Sequence, residues 1–264
     1  RLPPVFVSSI SAAKPHAGPL VGTRVEPPRR VFRMPDTVIV GEPSMMQVVT
    51  GHKGGIGWDM HFRGFEVHSS IAYQGVSAIM MAAKMIEWCN QVNAETAAAT
   101  PSALAAAFDP PYTGLHVGTI HGGTANNITA KDCYFNVNIR LVPGDDVRVW
   151  EARVLAKVAE LEAEMKAVRP EAGITAAQNF ELTGLVPESM GKAEEIARRL
   201  TGDNATHVVS YGTEAGQFQE RGYSAVVCGP GDIAQAHQPN EFITIDQFQQ
   251  GEAFIARLVE ALAE

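Results

Sequence analysis

Two stretches of alternation constrain this chain more than anything else in it. One places Ile56, Trp58, Met60 and Phe62 on one face, with Gly57, Asp59, His61 and Arg63 between and after them. The other places Cys133, Phe135, Val137, Ile139 and Leu141 on one face and leaves Asn136, Asn138 and Arg140 on the opposite one. A period of two belongs to a strand with one buried side. A helix is expected over about Gln74–Asn93, with Val76, Ile79, Met80, Ala83 and Ile86 as its apolar stripe. A second runs from Asp146 to about Val168, where Val147, Trp150, Val154, Val158, Leu161 and Met165 fall at steps of three and four. Further strands are expected near Tyr112–His121 and Ile174–Leu182. Strand, helix, strand, strand, helix, strand is the ferredoxin-like βαββαβ order, here over about residues 51–182.

The flanks have another texture. Thr37-Val38-Ile39-Val40 is a β-branched run stopped by Gly41-Glu42-Pro43-Ser44. Downstream, a helix is expected near Glu188–Leu200, strands at His207–Ser210 and Ala225–Cys228, and a last helix over Asp246–Leu262. Residues 36–50 and 183–264 thus make a partial α/β domain that the ferredoxin-like unit interrupts. Residues 1–35 hold Pro3, Pro4, Pro15, Pro19, Pro27, Pro28 and Pro35. Apart from a possible strand at Val5–Ile10 they read as irregular, extended or disordered chain.

Composition removes several classes of function. The formal charge is −8 and there is no long Lys/Arg run, which argues against nucleic acid or an anionic membrane as partner. No apolar stretch approaches the roughly 20 residues that span a bilayer, and no signal peptide is legible. Cys89, Cys133 and Cys228 are odd in number and scattered, as reduced core thiols in a cytoplasmic protein would be.

Polar groups gather just past the expected strand ends, where open sheets place their sites. Glu42 follows the first strand. Cys228 to Glu241 carries Asp232, Gln235, His237 and Glu241 after Gly229-Pro230-Gly231, and His237 is the candidate metal ligand or proton carrier. Gly118 to Asn127 is a glycine-rich turn ending in two amides, without the spacing of a phosphate loop. Arg140 on its polar strand face suits a carboxylate. His68 and the segment Ser210 to Gly216 complete the set. Each has an ordinary structural use when taken singly, in turns, caps or solvated faces.

In order and spacing, Val40 to Ser44, Gly51-His52-Lys53-Gly54, Gly64 to Ser70, Gly118 to Asn127, Asn138-Ile139-Arg140, Gly212-Thr213-Glu214-Ala215-Gly216 and Cys228 to Glu241 resemble the M20 family of dinuclear zinc aminoacylases and peptidases. Within it they look like the branch that deacetylates N-acetylornithine. The resemblance covers about residues 36–264. It implies an α/β zinc-binding domain interrupted by a ferredoxin-like lid that forms a homodimer. It also implies hydrolysis of the N-acyl bond of a small N-acyl amino acid, here N-acetylornithine to ornithine and acetate in arginine synthesis. By the same resemblance Glu42 and His237 are terminal ligands of two different zinc ions, and His68 polarises the scissile carbonyl across the dimer. Asn127 and Arg140 hold the substrate carboxylate side, and Glu214 meets the ornithine ammonium.

The sequence departs from the family upstream of Glu42, where neither the H-x-D motif nor the Glu-Glu pair occurs. Asn138 and Asn240 stand where relatives often carry Asp. A hydrolytic zinc normally takes three protein ligands, and Glu42 and His237 supply one to each ion. The chain is therefore expected to hold zinc, or cobalt in its place, weakly or not at all, and to turn over little substrate. Alternative readings are a succinyl-diaminopimelate desuccinylase or carboxypeptidase of the same family, or a dimerising, ligand-binding homologue without catalysis.

Overall fold

The computed structural model describes residues 5–8 and 36–263; the rest of the segment before Asp36 lies outside the described residues. In chain order the elements are β1 (Val5–Ser8), β2 (Thr37–Val40), β3 (Val49–His52), β4 (Gly54–Arg63), α1 (Ala78–Ala98), β5 (Gly114–His116), β6 (Ile120–Gly122), β7 (Asp132–Leu141), α2 (Val147–Val168), β8 (Gly173–Leu182), α3 (Lys192–Thr201), β9 (His207–Val209), α4 (Ala215–Glu220), β10 (Ser224–Val227) and α5 (Ile245–Ala263). The described residues divide into two units: one of residues 55–106 and 110–181, the other of residues 5–8, 36–54, 107–109 and 182–263.

The first unit is ferredoxin-like. Its strands lie in the order β5-β7-β4-β8, with β6 also paired to β7. The alternation in β4 and β7 does what it predicts: Ile56, Trp58, Met60 and Phe62 join Cys133, Phe135, Val137 and Ile139 in one buried cluster. Fully burying each large side chain is worth about 1.5–3 kcal/mol. The helix α2 closes that cluster with Trp150, Val154, Leu161 and Met165, and Asp146 caps it by accepting a hydrogen bond from the Arg148 amide at 2.8 Å.

Two expectations for this unit are corrected. The helix α1 starts at Ala78 behind a Ser77 cap, and its buried residues are Ala78, Met81, Ala82, Met85, Cys89 and Val92. Of the expected stripe, Ile79, Met80 and Ala83 face solvent. The first half of α1 is apolar nearly all round, so two stripes compete; Lys84, Glu87 and Gln91 mark the outward face that Met80 shares. The strand expected over 112–121 is two strands, β5 and β6, both antiparallel to β7. Between them the Asn136 side chain replaces the ladder: its Oδ1 accepts from the Gly118 amide at 3.0 Å and its Nδ2 donates to Thr119 Oγ1 at 3.3 Å.

The second unit carries a five-stranded sheet in the order β1-β2-β10-β3-β9. β1, β2 and β10 run parallel, β3 is antiparallel to β10, and β9 is parallel to β3. Both faces are covered, which is why β2 reads as an unbroken apolar run. Ile39 and Val226 pack with Ile196 and Leu200 of α3 and Phe254 and Leu258 of α5. Val38, Val40 and Val227 pack on the other side with Leu185 and Ala215. Residues 51–54, read from sequence as the start of the lid, cluster with this unit, Gly51 and His52 as part of β3. A Cβ at Gly54 would lie 2.8 Å from the Leu182 carbonyl oxygen, so glycine is required where the two segments cross. Among the described residues no helix is long and apolar enough to cross a membrane.

Candidate active site

Register fixes the first half of the site. Because β2 and β10 are parallel neighbours with Val40 opposite Val227, the segments that follow them leave the same edge of the sheet. Glu42 is on one and the 228–241 loop is on the other. The two are stitched by backbone bonds: Ser44 and Met46 amides donate to the Gly229 carbonyl at 3.1 and 3.0 Å, and the Met45 amide to that of Gly231 at 2.8 Å. A Cβ on Gly229 would sit 2.5 Å from Gly41 backbone, so only glycine permits this approach.

These two segments also hold every non-glycine residue with positive φ among the described residues: Met45 (55°), Met46 (59°), His237 (60°) and Asn240 (64°). Such conformations cost of order 1–3 kcal/mol each and gather at functional sites. His237 is exposed, and its backbone amide donates to Glu241 Oε2 at 3.0 Å. Asp232 caps the short turn Ile233–Gln235 by accepting from the Ala234 amide at 2.9 Å.

Tyr211 was not singled out by the sequence, yet it reaches this edge. Its hydroxyl donates to the Pro43 carbonyl at 2.6 Å. Burial, and then the negative charges of Glu42 and Asp232, push its phenol up to about 12. Glu42 and Asp232 therefore act on one ring from two segments. Glu214 follows three residues later, half-buried, at the N-terminal end of α4. That six-residue helix has no legible period, and it stands where the sequence shows only a polar loop.

In the ferredoxin-like unit, the expected lid, the structure brings His68 and Asn127 together. The Ser69 amide donates to the Asn127 carbonyl at 2.8 Å, His68 bridges Ile128, and Thr129 Oγ1 accepts from the Val67 amide at 2.9 Å while donating to the Phe65 carbonyl at 2.8 Å. The segment's ends meet through paired bonds between Phe65 and Val76. Arg169 locks that closure, stacking 4.2 Å over the Phe65 ring and donating from Nε to the Gln74 carbonyl at 2.6 Å. Arg140 is not part of this group. It is exposed on the open face of β7, near the far end of the strand from Asp132, about 25 Å away at 3.3 Å per residue.

Zinc fits these residues incompletely. Glu42 and His237 leave one sheet edge, but among the described residues no group of three or more His, Cys, Asp or Glu side chains is arranged to hold a metal ion. A catalytic dinuclear centre needs more donors than these.

Residues 50–166 match the M20 family domain described as a peptidase dimerisation domain. Over a wider span the chain is 32% identical across 228 residues to the acetylornithine deacetylase of Myxococcus xanthus, covering 84% of this chain and 56% of that protein. It is 30% identical across 232 residues to the acetylornithine deacetylase of Erwinia tasmaniensis, covering 85% and 56%. The chain thus spans about half the length of the curated relatives it matches. In fold it is similar to the aminopeptidase PepT of Bacillus cereus, with a TM-score of 0.65 at 18% identity over 87% of this chain and 58% of that one. An M20 family metallo-carboxypeptidase from Sulfolobus solfataricus gives 0.60 at 16% identity over 83% and 62%.

Proposed function

We propose that the chain serves a metal-dependent hydrolase of N-acyl amino acids, cleaving N-acetylornithine to ornithine and acetate for arginine synthesis in the cytoplasm. The observation that carries this reading is the strained double loop at the β2 and β10 edge. It spends backbone energy to hold an acid and an imidazole on adjacent segments. The resemblance to proteins named acetylornithine deacetylase supports this substrate among N-acyl amino acids. On this reading Glu42 and His237 each give one donor to a metal, zinc or cobalt. His68 donates to the acyl carbonyl oxygen, Asn127 and Arg140 hold the carboxylate side of the substrate, and Glu214 takes the side-chain ammonium.

Arg140 and Asp132 stand near opposite ends of β7, and Asn127 precedes Asp132 by five residues; that separation supports a site shared between two copies, with different ends of the unit serving different active sites. Exposed Ile79 and Met80 on α1, beside the short edge strand β6 with its exposed Ile120, offer a symmetric contact for that homodimer. A second reading, a dimerising and ligand-binding homologue without turnover, is favoured by the short donor set among the described residues.

The test is a panel of N-acetylornithine, N-succinyl-diaminopimelate and a dipeptide, assayed on the purified chain with zinc or cobalt added and metal content measured. Weak, metal-dependent release of acetate, with N-acetylornithine preferred, is the expected result. Binding of an ornithine analogue with no hydrolysis of any of the three would replace the first reading with the second.

A further inference from the structure

Histidine rings in this molecule are held in different ways, and the difference matters at His68. Among the described residues, His61 Nε2 lies 2.7 Å from Asp132 and His207 Nε2 lies 3.2 Å from Asp203, each facing a carboxylate that can only accept. His52 turns Nδ1 to the Lys53 carbonyl at 2.9 Å, again an acceptor. These rings donate. At His68 the arrangement is reversed: the Ser70 backbone amide donates to Nδ1 at 3.2 Å, and Ser70 Oγ lies 2.8 Å from the same nitrogen. An amide N–H cannot accept, so in the neutral ring Nδ1 carries no proton and the Ser70 hydroxyl donates to it as well. The ring proton must then be on Nε2, which makes no hydrogen bond to the described residues.

We infer that Ser70 is a positioning residue: its amide and hydroxyl together fix His68 as the Nε2–H tautomer and aim that N–H outward. The catalytic meaning rests on the hydrolase reading above. A neutral Nε2–H is the form that donates to a carbonyl oxygen as negative charge builds there, without the ring first gaining a proton. The geometry that holds the ring is available because the segment is already fixed: Ser69 is tied to Asn127, and His68 is bridged to Ile128.

The tautomer can be read directly from nitrogen chemical shifts in the full chain labelled with 15N-histidine. Spectra are taken at about pH 8, well above the ordinary histidine value of about 6.5, with His68→Ala identifying the signal. In the wild type, Nδ1 is expected at the unprotonated position and Nε2 at the protonated one. Loss of the Ser70 hydroxyl in Ser70→Ala is expected to raise the share of the Nδ1–H form about fivefold, the effect of one ordinary hydrogen bond. Ser70→Thr, which keeps the hydroxyl, is expected to restore the wild-type shifts. A protonated Nδ1 in the wild type, or an unchanged tautomer ratio in Ser70→Ala, overturns the assignment. Neither readout depends on turnover, so a chain that shows the expected shifts but hydrolyses nothing would refute the hydrolase reading alone.

Discussion

The lid and the α/β edge hold their candidate groups by opposite means. In the lid, His68 rests on Ser70 two residues away and on a neighbouring segment whose bonds are ordinary and unstrained. At the α/β edge, partners such as Ser44 and Gly229 are 185 residues apart, and they meet through backbone turned into the left-handed region. The lid presents a local device that comes with its fold. The edge is a long-range one, which forms only when β2 and β10 pair in register. Changes at the edge should therefore cost more than changes of equal size in the lid loop.

The sharpest way to break that contrast is Gly229→Ala. The added methyl meets Gly41 and Glu42 backbone at 2.5–2.6 Å, atoms that cannot swing aside. A loss of about 3 kcal/mol in urea denaturation is expected; a loss below about 1 kcal/mol would show the two segments are not locked.

Asp203 gives a smaller and pH-dependent effect. Burial pushes its carboxyl up, but bonds from the Val48 amide at 2.8 Å, the Ala205 amide at 3.1 Å and His207 outweigh that and hold it below the ordinary range. A depressed folded value means the contribution is present above the unfolded value of about 3.9 and is lost as pH falls through the folded one. Asp203→Asn is expected to cost about 1–3 kcal/mol at neutral pH, because the Val48 amide loses its charged acceptor. The gap to wild type should close in denaturation series taken below about pH 4.

In the lid the corresponding change is milder. Arg169→Ala removes the stacking on Phe65 and the bond to Gln74, with an expected loss of about 1 kcal/mol. Hydrogen exchange should localise it: the Gly75 and Val76 amides lose protection while those of β7 keep theirs. Uniform loss across the lid would contradict a local latch.

Much of this was legible in the residues, and the failures have physical causes. The β4 and β7 alternations and the run of α2 from Asp146 to Val168 each carry a one-sided signal, and each expectation matches the structure to within a residue. The buried face of α1 was misread because its apolar residues nearly encircle the helix. The strand β3 is buried at every position, so it has no alternation to show, and Gly51 and Lys53 disguise it further. Glu42, His237, His68 and Asn127 stand out by their loops. Tyr211 and Arg169 do not, since they act by reaching a neighbour that sequence spacing does not reveal, and Ser70 does not, since a serine in a polar loop has many ordinary uses. For Tyr211 the available signal was an aromatic directly past a strand end; for Ser70, a hydroxyl two residues after a loop histidine.

The central structural claim is that Glu42 and His237 share one edge of the sheet. Nitroxide labels on Glu42→Cys and His237→Cys can test it by pulsed electron resonance. The native thiols Cys89, Cys133 and Cys228 are buried, and burial pushes those of Cys89 and Cys228 up to about 12, so they compete little for label. Neighbouring strands lie about 5 Å apart, so a narrow distance distribution below about 20 Å is expected. A distribution centred at about 30 Å or beyond, more than twice the radius of a 100-residue domain, would put the acid and the imidazole on separate faces and contradict the account.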